Sequence, residues 1–335
     1  MFFPETKIDL PGSGRKESKI AIIGDYSDGF DLNSGKPFSG PAGTILDSCL
    51  HNAGLIRGEC YLTNVIKTKA VNQGVFFTKD KKGTVRFTEK GMSYVHLLQA
   101  ELTEVSANIL IAVGDAAFTA LCSLSQLSTY RGYIFPSTLC PGRKVIPIMH
   151  PRSAMRGQYY LRHLIATDLK KARDESFFPE IRRPDRKLIY TYDSCNDALE
   201  WLKYYEEQEI VGFDIEVLNY EISCLSFSSA PDLACVIPIA DRWTLDEEVL
   251  IWRAIQRVLG NPASTKVVQN GMFDIPFLLT RNGCVVRGEI HDTMIGHSVM
   301  YPELQKGLGF LGSIYCGAQE YWKDTVKFKS IKEED

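Results

Sequence analysis

The first half of the chain alternates short apolar runs with stretches of helical periodicity, and this alternation constrains the fold more than any other feature. Residues 19–23 read as a buried strand, and residues 42–52 as a helix with Gly54 suited to end it. Residues 60–65 read as a second strand, 91–106 as a helix, and 108–113 as a third strand leading through Gly114-Asp115 into a helix from Ala116. Residues 144–149 read as a fourth strand and 159–173 as a closing helix. Strands alternating with helices make a parallel sheet covered on both faces. Ligands of such sheets sit at the carboxyl ends of the strands. Gly24-Asp25, Asn64 and His150 each follow a strand directly, so all three are expected to face one crevice.

With 335 residues the chain exceeds what one core usually supports. A break falls at 176–187, where Phe177-Phe178-Pro179 and Arg182-Arg183-Pro184-Asp185-Arg186 mix proline and charge without periodicity. The expected division is a domain at 1–176, a linker at 177–187 and a domain at 188–335. The second half begins with a strand at 188–191 and a helix capped by Asp193 or Ser194. Strands at 210–215, 222–226 and 234–239 follow, then a helix at 245–259, a strand at 265–268 and a helix at 272–281. This α/β order fits a ribonuclease-H-like core.

Net charge is −3, which argues against a sequence-independent DNA coat but not against an enzyme that touches a few phosphates. Two local basic clusters, Lys79 to Lys82 with Arg86 and Arg182-Arg183 with Arg186-Lys187, read more readily as solvated loops than as DNA contacts. The nine cysteines are scattered with no C-x-x-C, as for free thiols in a reducing compartment. Met1-Phe2-Phe3-Pro4-Glu5 has no signal-peptide pattern, and no apolar run reaches about 18 residues. A cytoplasmic protein with no membrane partner is expected.

Asp214 and Glu216 are one residue apart at the end of an apolar run, so on a strand both side chains share a face. Paired carboxylates there are costly unless a cation or donor meets them. Asn270-Gly-Met-Phe-Asp274 follows, with Asp274 in the first turn of a helix, where the helix dipole favours its charge. Hard oxygen donors of this kind suit Mg²⁺ or Mn²⁺, and two such ions can serve phosphodiester hydrolysis. His291-Asp292-Thr293 lies beyond.

Val211-Gly-Phe-Asp-Ile-Glu216 and Val268-Gln-Asn-Gly-Met-Phe-Asp274 resemble the first two exonuclease motifs of the proofreading domain of family A DNA polymerases. His291-Asp-Thr-Met294 and Leu308 to Tyr315, followed by Tyr321-Trp-Lys-Asp324, resemble the next segment of the bacteriophage members. The resemblance implies metal ligation by Asp214, Glu216 and Asp274, support of the helix or substrate strand by Asn270, and at most an indirect role for Asp292. The family's third motif, Tyr-x-x-x-Asp, does not occur after Asp274. The chain is therefore expected to stop just before that motif, to lack the polymerase domain and to be a weak nuclease by itself.

Gly24-Asp25 with Gly35-Lys-Pro-Phe38 resembles the opening motif of family 4 and 5 uracil-DNA glycosylases. Leu62 to Lys67 resembles their Thr-Asn-Val-x-Lys strand end, Val113-Gly-Asp-Ala-Ala117 their strand-to-helix turn, and His150-Pro-Arg-Ser153 with Arg156 their His-Pro-Ser motif and trailing Arg. The resemblance implies a three-layer parallel-sheet domain that holds a flipped uracil-like base. Phe38 would stack on the base, Asn64 read its edge and His150 stabilise the leaving uracil. Asp25 and Asp31 occupy acidic positions of the opening motif. Tyr26-Ser-Asp28 replaces the tight Ala-Pro-Gly turn and puts a bulky side chain near the attacking water. Family 4 members hold an iron–sulfur cluster, but Thr68 and Ser93 stand where cluster cysteines would be, so no cluster is expected.

The combined reading is a phage-type replication or repair protein that takes single-stranded DNA or a 3′ end, alongside a polymerase domain or other replication proteins. Two rivals stand beside it. One is a working uracil-DNA glycosylase with a degenerate nuclease. The other is a non-catalytic DNA-binding module of a polymerase.

Overall fold

The computed structural model describes residues 7–69, 72–81, 83–155, 157–191, 193–317 and 321. Arg156, expected to contact DNA, lies outside them, as do Lys82 and Trp322 to Asp324. The chain divides into two compact units: residues 1–183 with 309–335, and residues 184–308.

The first unit runs β1 (Ile20–Ser27), α1 (Gly29–Ser34), α2 (Pro41–Asn52), β2 (Tyr61–Lys69), β3 (Phe77–Lys79), β4 (Val85–Phe87), α3 (Glu89–Thr103), β5 (Ile109–Val113), α4 (Asp115–Cys122), α5 (Leu127–Tyr130), β6 (Phe135–Pro136), β7 (Lys144–Ile148) and α6 (Leu161–Glu175). Its main sheet has the order β2-β1-β5-β7-β6. All neighbours are parallel except the short edge strand β6 against β7. Side chains alternate across the sheet into two cores. Ala21, Ile23, Leu110 and Ala112 face the layer with α3 and α4, while Ile20, Ile22, Ile109 and Ile111 face the layer with α2 and α6. This is the expected three-layer arrangement.

Strand β1 continues past its expected end. Asp25, Tyr26 and Ser27 stay in the strand because β2 also runs on to Lys69, and Tyr26 and Ser27 pair with Ile66 and Lys69 across an irregularity. Sequence reasoning also missed the β3–β4 hairpin, an inserted two-stranded sheet between β2 and α3. Its strands have three residues each, too few for a periodicity to register.

The second unit runs β8 (Lys187–Tyr190), α7 (Cys195–Glu206), β9 (Ile210–Leu218), β10 (Glu221–Ala230), β11 (Leu233–Pro238), α8 (Leu245–Gly260), β12 (Thr265–Val268), α9 (Gly271–Asn282), β13 (Ile290–Asp292) and α10 (Thr293–Met300). The sheet order is β13-β12-β9-β10-β11-β8, with β10 antiparallel to both neighbours and the other pairs parallel. The three-strand meander flanked by parallel strands is the expected ribonuclease-H-like core, with β13 added beyond the expected elements.

A last helix, α11 (Leu308–Tyr315), follows, and from Gly309 on the chain groups with the first unit. Lys171 Nζ donates to the carbonyls of Gly132, Ser313 and Cys316 at 3.0, 2.6 and 2.9 Å, and Tyr133 Oη donates to Gly309 O. The Arg131 guanidinium lies 5.0 Å from the Phe310 ring centre. The sequence reading placed these residues with the second domain, because a side-chain contact over more than a hundred residues leaves no local signal. Phe178, read as linker, also packs in the first unit, with Lys144 Nζ and the Arg182 guanidinium each 3.8 Å from its ring centre.

Candidate functional sites

In the first unit the chain passes from β1 to β2 on one side and returns to β5 on the other. The order of strands therefore reverses between β1 and β5, where open α/β sheets bind ligands. Asp25 follows β1 Gly24, which pairs with Val113 at the end of β5. The Asp25 carboxylate accepts a hydrogen bond from Ala117 N at 2.8 Å, in the first turn of α4. Burial drives its pKa up to about 7, against the α4 amides. Gly114 makes this approach possible. Its φ of +109° is glycine territory, and a Cβ there would lie 2.4 Å from Asp25 Oδ2.

His150 follows β7 and shares a cavity of about 780 Å³ with Asp25, Tyr26, Lys79, Asp115 and Arg152. Its Nδ1 accepts from Arg152 N at 3.1 Å, so the hydrogen-bond network assigns the proton of the neutral ring to Nε2. Burial, helped by the Arg152 charge and opposed by Asp28, lowers the His150 pKa to about 4. The ring is thus a neutral donor near pH 7. Arg152 reaches back to Tyr26 Oη at 3.1 Å and Asp28 Oδ2 at 3.5 Å. Lys79 pairs with Asp115 at 2.5 Å. Neither pairing had a sequence signal, since both join segments far apart in the chain.

Phe38 and Asn64 are buried and meet over Gly24. A Cβ on Gly24 would lie 2.2 Å from Asn64 Oδ1 and 2.7 Å from the Phe38 ring. Neither is among the cavity's lining residues. The Asn64 amide donates to Ser27 Oγ at 3.2 Å, and Lys67 Nζ donates to Asn64 O at 3.1 Å. Phe38 adopts φ +55°, unfavourable for a bulky residue. Arg57 holds that turn through the carbonyls of Pro37 at 2.6 Å and Phe38 at 3.1 Å. Asp31 is buried within the same loop, its carboxylate accepting from Ser39 N at 2.8 Å and Asp28 N at 3.5 Å. Of the expected pocket residues, Asp25 and His150 therefore line the cavity, Phe38 and Asn64 adjoin it at Gly24, and Asp31 braces the Phe38 loop. Thr68 donates to Asp9 and Ser93 to Glu89 O, so these two positions offer bonded hydroxyls and do not fit an iron–sulfur cluster.

In the second unit Asp214 and Glu216 lie exposed on one face of β9. The buried Asp274 of α9 accepts from Ile215 N at 3.1 Å, between the two. Partial desolvation where Asp214 meets the strand surface, then the charges of Asp274 and Glu216, push this solvent-reaching carboxyl up to about 6. Burial likewise raises Asp274. Carboxylates gathered at one strand end and helix start suit a hard divalent cation. Among the described residues, no three His, Cys, Asp or Glu side chains stand close enough to hold a metal ion as they are. Asp292 is bound elsewhere. It accepts from the amides of Asn270, Gly271, Met294 and Ile295 at 2.8–3.2 Å and so caps α10 while fixing the start of α9. Burial opposes its ionisation, but those amides outweigh burial and lower its pKa. Asn270 N-caps α9 with φ +63°, a conformation Asn tolerates, and its side chain makes no cap bond.

Residues 11–170 match the uracil DNA glycosylase superfamily and residues 189–332 match the 3′–5′ exonuclease family. The chain joins a uracil-DNA-glycosylase-superfamily domain to a 3′–5′ exonuclease-family domain. The type-4 uracil-DNA glycosylase of Thermotoga maritima is 25% identical over 163 residues, 48% of this chain and 80% of that protein. The DNA polymerase of Bacillus phage SP01 is 21% identical over 327 residues, 87% of this chain but 34% of that protein. The chain thus spans about a third of the phage polymerase's length. A solved EXD2 exonuclease domain soaked in Mg and dGMP aligns with 38% of this chain and 68% of its own, at 21% identity and a TM-score of 0.28. Both domains are of families that hydrolyse bonds in nucleic acid. Among the described residues no helix is long and apolar enough to cross a membrane.

Proposed function

We propose that the glycosylase-superfamily domain takes a flipped uracil-like base from DNA and that the exonuclease-family domain holds a 3′ end, both within a phage-type polymerase that acts in the cytoplasm of an infected bacterium. The observation that carries the reading is one cavity at the sheet's switch point with Asp25 on one wall and His150 on another. Asp25 as carboxylate takes a proton from water and aims its oxygen at the sugar carbon. His150 Nε2–H donates to the base oxygen as negative charge develops there. Phe38 supplies a stacking face. Asn64 reads the base edge by exchanging Ser27 Oγ for the ligand, and its amide matches uracil better than cytosine. In the second domain Asp214, Glu216 and Asp274 would hold Mg²⁺ or Mn²⁺, which when bound supplies a Lewis acid and an acidified water. Asn270 and Asp292 set the start of α9 so that Asp274 faces β9. With no Tyr-x-x-x-Asp after Asp274, 3′ trimming by this chain is slow.

A second reading is favoured by the partner that already occupies the Asn64 amide and by the burial of Phe38. In it the first domain binds a uracil-containing strand without cutting the base free. One gel tests both readings. An end-labelled single strand with one uracil is incubated with Mg²⁺ or EDTA, and half of each sample is treated with alkali. A single alkali-dependent break that persists in EDTA and vanishes in Asn64→Ala supports the glycosylase reading. No break, with tighter binding of the uracil strand, replaces it with the binding reading. A strong Mg²⁺-dependent ladder from the 3′ end would contradict slow trimming.

A further inference from the structure

We propose that Arg57 is a positioning residue for base recognition. It holds Phe38 in a strained backbone conformation that keeps the ring beside Asn64, and so sets how well the first domain distinguishes a uracil-containing strand. The proposal rests on the reading of Phe38 and Asn64 as the base-recognition pair, and it adds the group that acts through them.

Phe38 stands at φ +55°, a conformation that a bulky residue leaves unless its surroundings hold it. The backbone is held on both sides of the residue. Arg57 Nη2 donates to the Pro37 carbonyl at 2.6 Å and to the Phe38 carbonyl at 3.1 Å, while Nη1 donates to Asp47 of α2 at 2.6 Å. Ser39 N donates to the Asp31 carboxylate at 2.8 Å, and Ser39 Oγ donates to Lys36 O at 2.7 Å. The first turn of α2 closes on the same carbonyl, since a Cβ on Gly43 would stand 1.8 Å from Phe38 O.

Asp31, Lys36 and Gly43 belong to the loop or its flanking helices, but Arg57 reaches it from beyond α2, 19 residues along the chain from Phe38. Its planar fork meets two carbonyls and a carboxylate at once, which an ammonium group cannot match. At the other end of Phe38 the ring meets Gly24, where a Cβ would stand 2.7 Å from the ring and 2.2 Å from Asn64 Oδ1. Gly24 leads directly into Asp25 on the cavity wall. The Arg57 side chain is 30% exposed and is not among the cavity's lining residues, so it acts on a base only through Phe38. Without the fork the turn relaxes towards an ordinary φ and the ring leaves its place beside Asn64.

The test is binding of the whole chain, in EDTA, to two fluorescent single strands that differ at one nucleotide. One carries 2′-fluoro-2′-deoxyuridine there and the other 2′-fluoro-2′-deoxycytidine, because the electron-withdrawing fluorine keeps the base from being released. The readout is the ratio of the two affinities. Backbone strain of this kind corresponds to about 5- to 150-fold in the population of the held conformer. Arg57→Gln is therefore expected to lower the ratio about fivefold or more, with the affinity for the cytidine strand unchanged. Arg57→Lys keeps the charge without the fork and lowers the ratio by a smaller factor. In a Phe38→Ala background Arg57→Gln changes nothing further. Hydrogen exchange of the β5 amides shows that the first unit is folded in each variant, and Arg57→Lys carries the comparison if Arg57→Gln is not. An unchanged ratio in the folded Arg57 variants overturns the proposal. So does an equal loss on both strands, which would make Arg57 a phosphate contact, or a further fall in the Phe38→Ala background. In each of those cases base recognition by the wild type still stands. Equal wild-type affinities for the two strands would instead overturn the base-recognition reading, and the proposal with it.

Discussion

Replacing Gly114 by Ala perturbs the switch point without adding or removing any charged group. Two costs can be worked from the structure. The backbone at this position (φ +109°, ψ 168°) lies in a region essentially reserved for Gly, which costs about 1–3 kcal/mol for Ala. The added methyl would also stand 2.4–2.6 Å from three atoms of the Asp25 carboxyl group, which must move. Moving it breaks the bond to Ala117 N, worth about 1.5–3 kcal/mol for a charged acceptor and less when Asp25 is protonated. The sum is roughly 2.5–6 kcal/mol above pH 7. In an Asp25→Ala background the second cost disappears and only the backbone cost of about 1–3 kcal/mol remains. Trp201, Trp243 and Trp252 all lie in the second unit, so their fluorescence does not report this change. Hydrogen exchange of the β1 and β5 amides in urea does, because those strands unfold with the first unit. A double-mutant cycle with a coupling near 2 kcal/mol is expected. The same cost for Gly114→Ala in both backgrounds, or a cost below about 1 kcal/mol in the wild type, would refute the reasoning.

Two further outcomes follow from the same geometry. Asp25 and His150 push the stability of the first unit in opposite directions over the same pH range. The Asp25 pKa is raised from 3.8 to about 7, so its contribution is full below 3.8 and is lost as pH rises through 7. The His150 pKa is lowered from 6.5 to about 4, so its contribution is full above 6.5 and is lost as pH falls through 4. Asp25→Asn should therefore leave a unit whose stability climbs with pH between about 4 and 6.5, and His150→Gln one whose stability falls from about 4 to 7; urea exchange profiles with unchanged slopes in both would contradict the two burial arguments. In the second unit, Asp292→Ala takes an acceptor from four backbone amides and should cost about 2–3 kcal/mol of that unit's stability, read by tryptophan fluorescence in urea, with Mn²⁺ binding at saturation intact. Loss of Mn²⁺ binding in a folded Asp292→Asn protein would instead make Asp292 a ligand.

Much of this was legible along the chain because it depends on local spacing. The alternation of apolar runs and helical periods is enough for a parallel sheet in the first half, since burial on both faces demands continuous apolar strands. A one-residue gap puts Asp214 and Glu216 on one face of any strand, and Asn270 four residues before Asp274 puts the latter in a helix's first turn. Gly24 and Gly114 stand where backbone and side chains come close, and Gly114 after its apolar run already marks the end of β5, whereas β1 runs on past Gly24. What local spacing could not decide is who bonds to whom. Asn64 is a base-reading amide by sequence, yet the continuation of β1 to Ser27 gives it a hydroxyl partner. Asp292 is a carboxylate near two others by sequence, yet four amides from α9 and α10 converge on it. The chain beyond Gly309 follows the exonuclease motifs in sequence, yet Lys171, Tyr133 and Arg131 bind it to the first unit. Each of these outcomes depends on atoms brought together across tens to hundreds of residues, and a buried polar group takes whichever partner packing brings nearest, because leaving it unpaired costs more than any local preference returns.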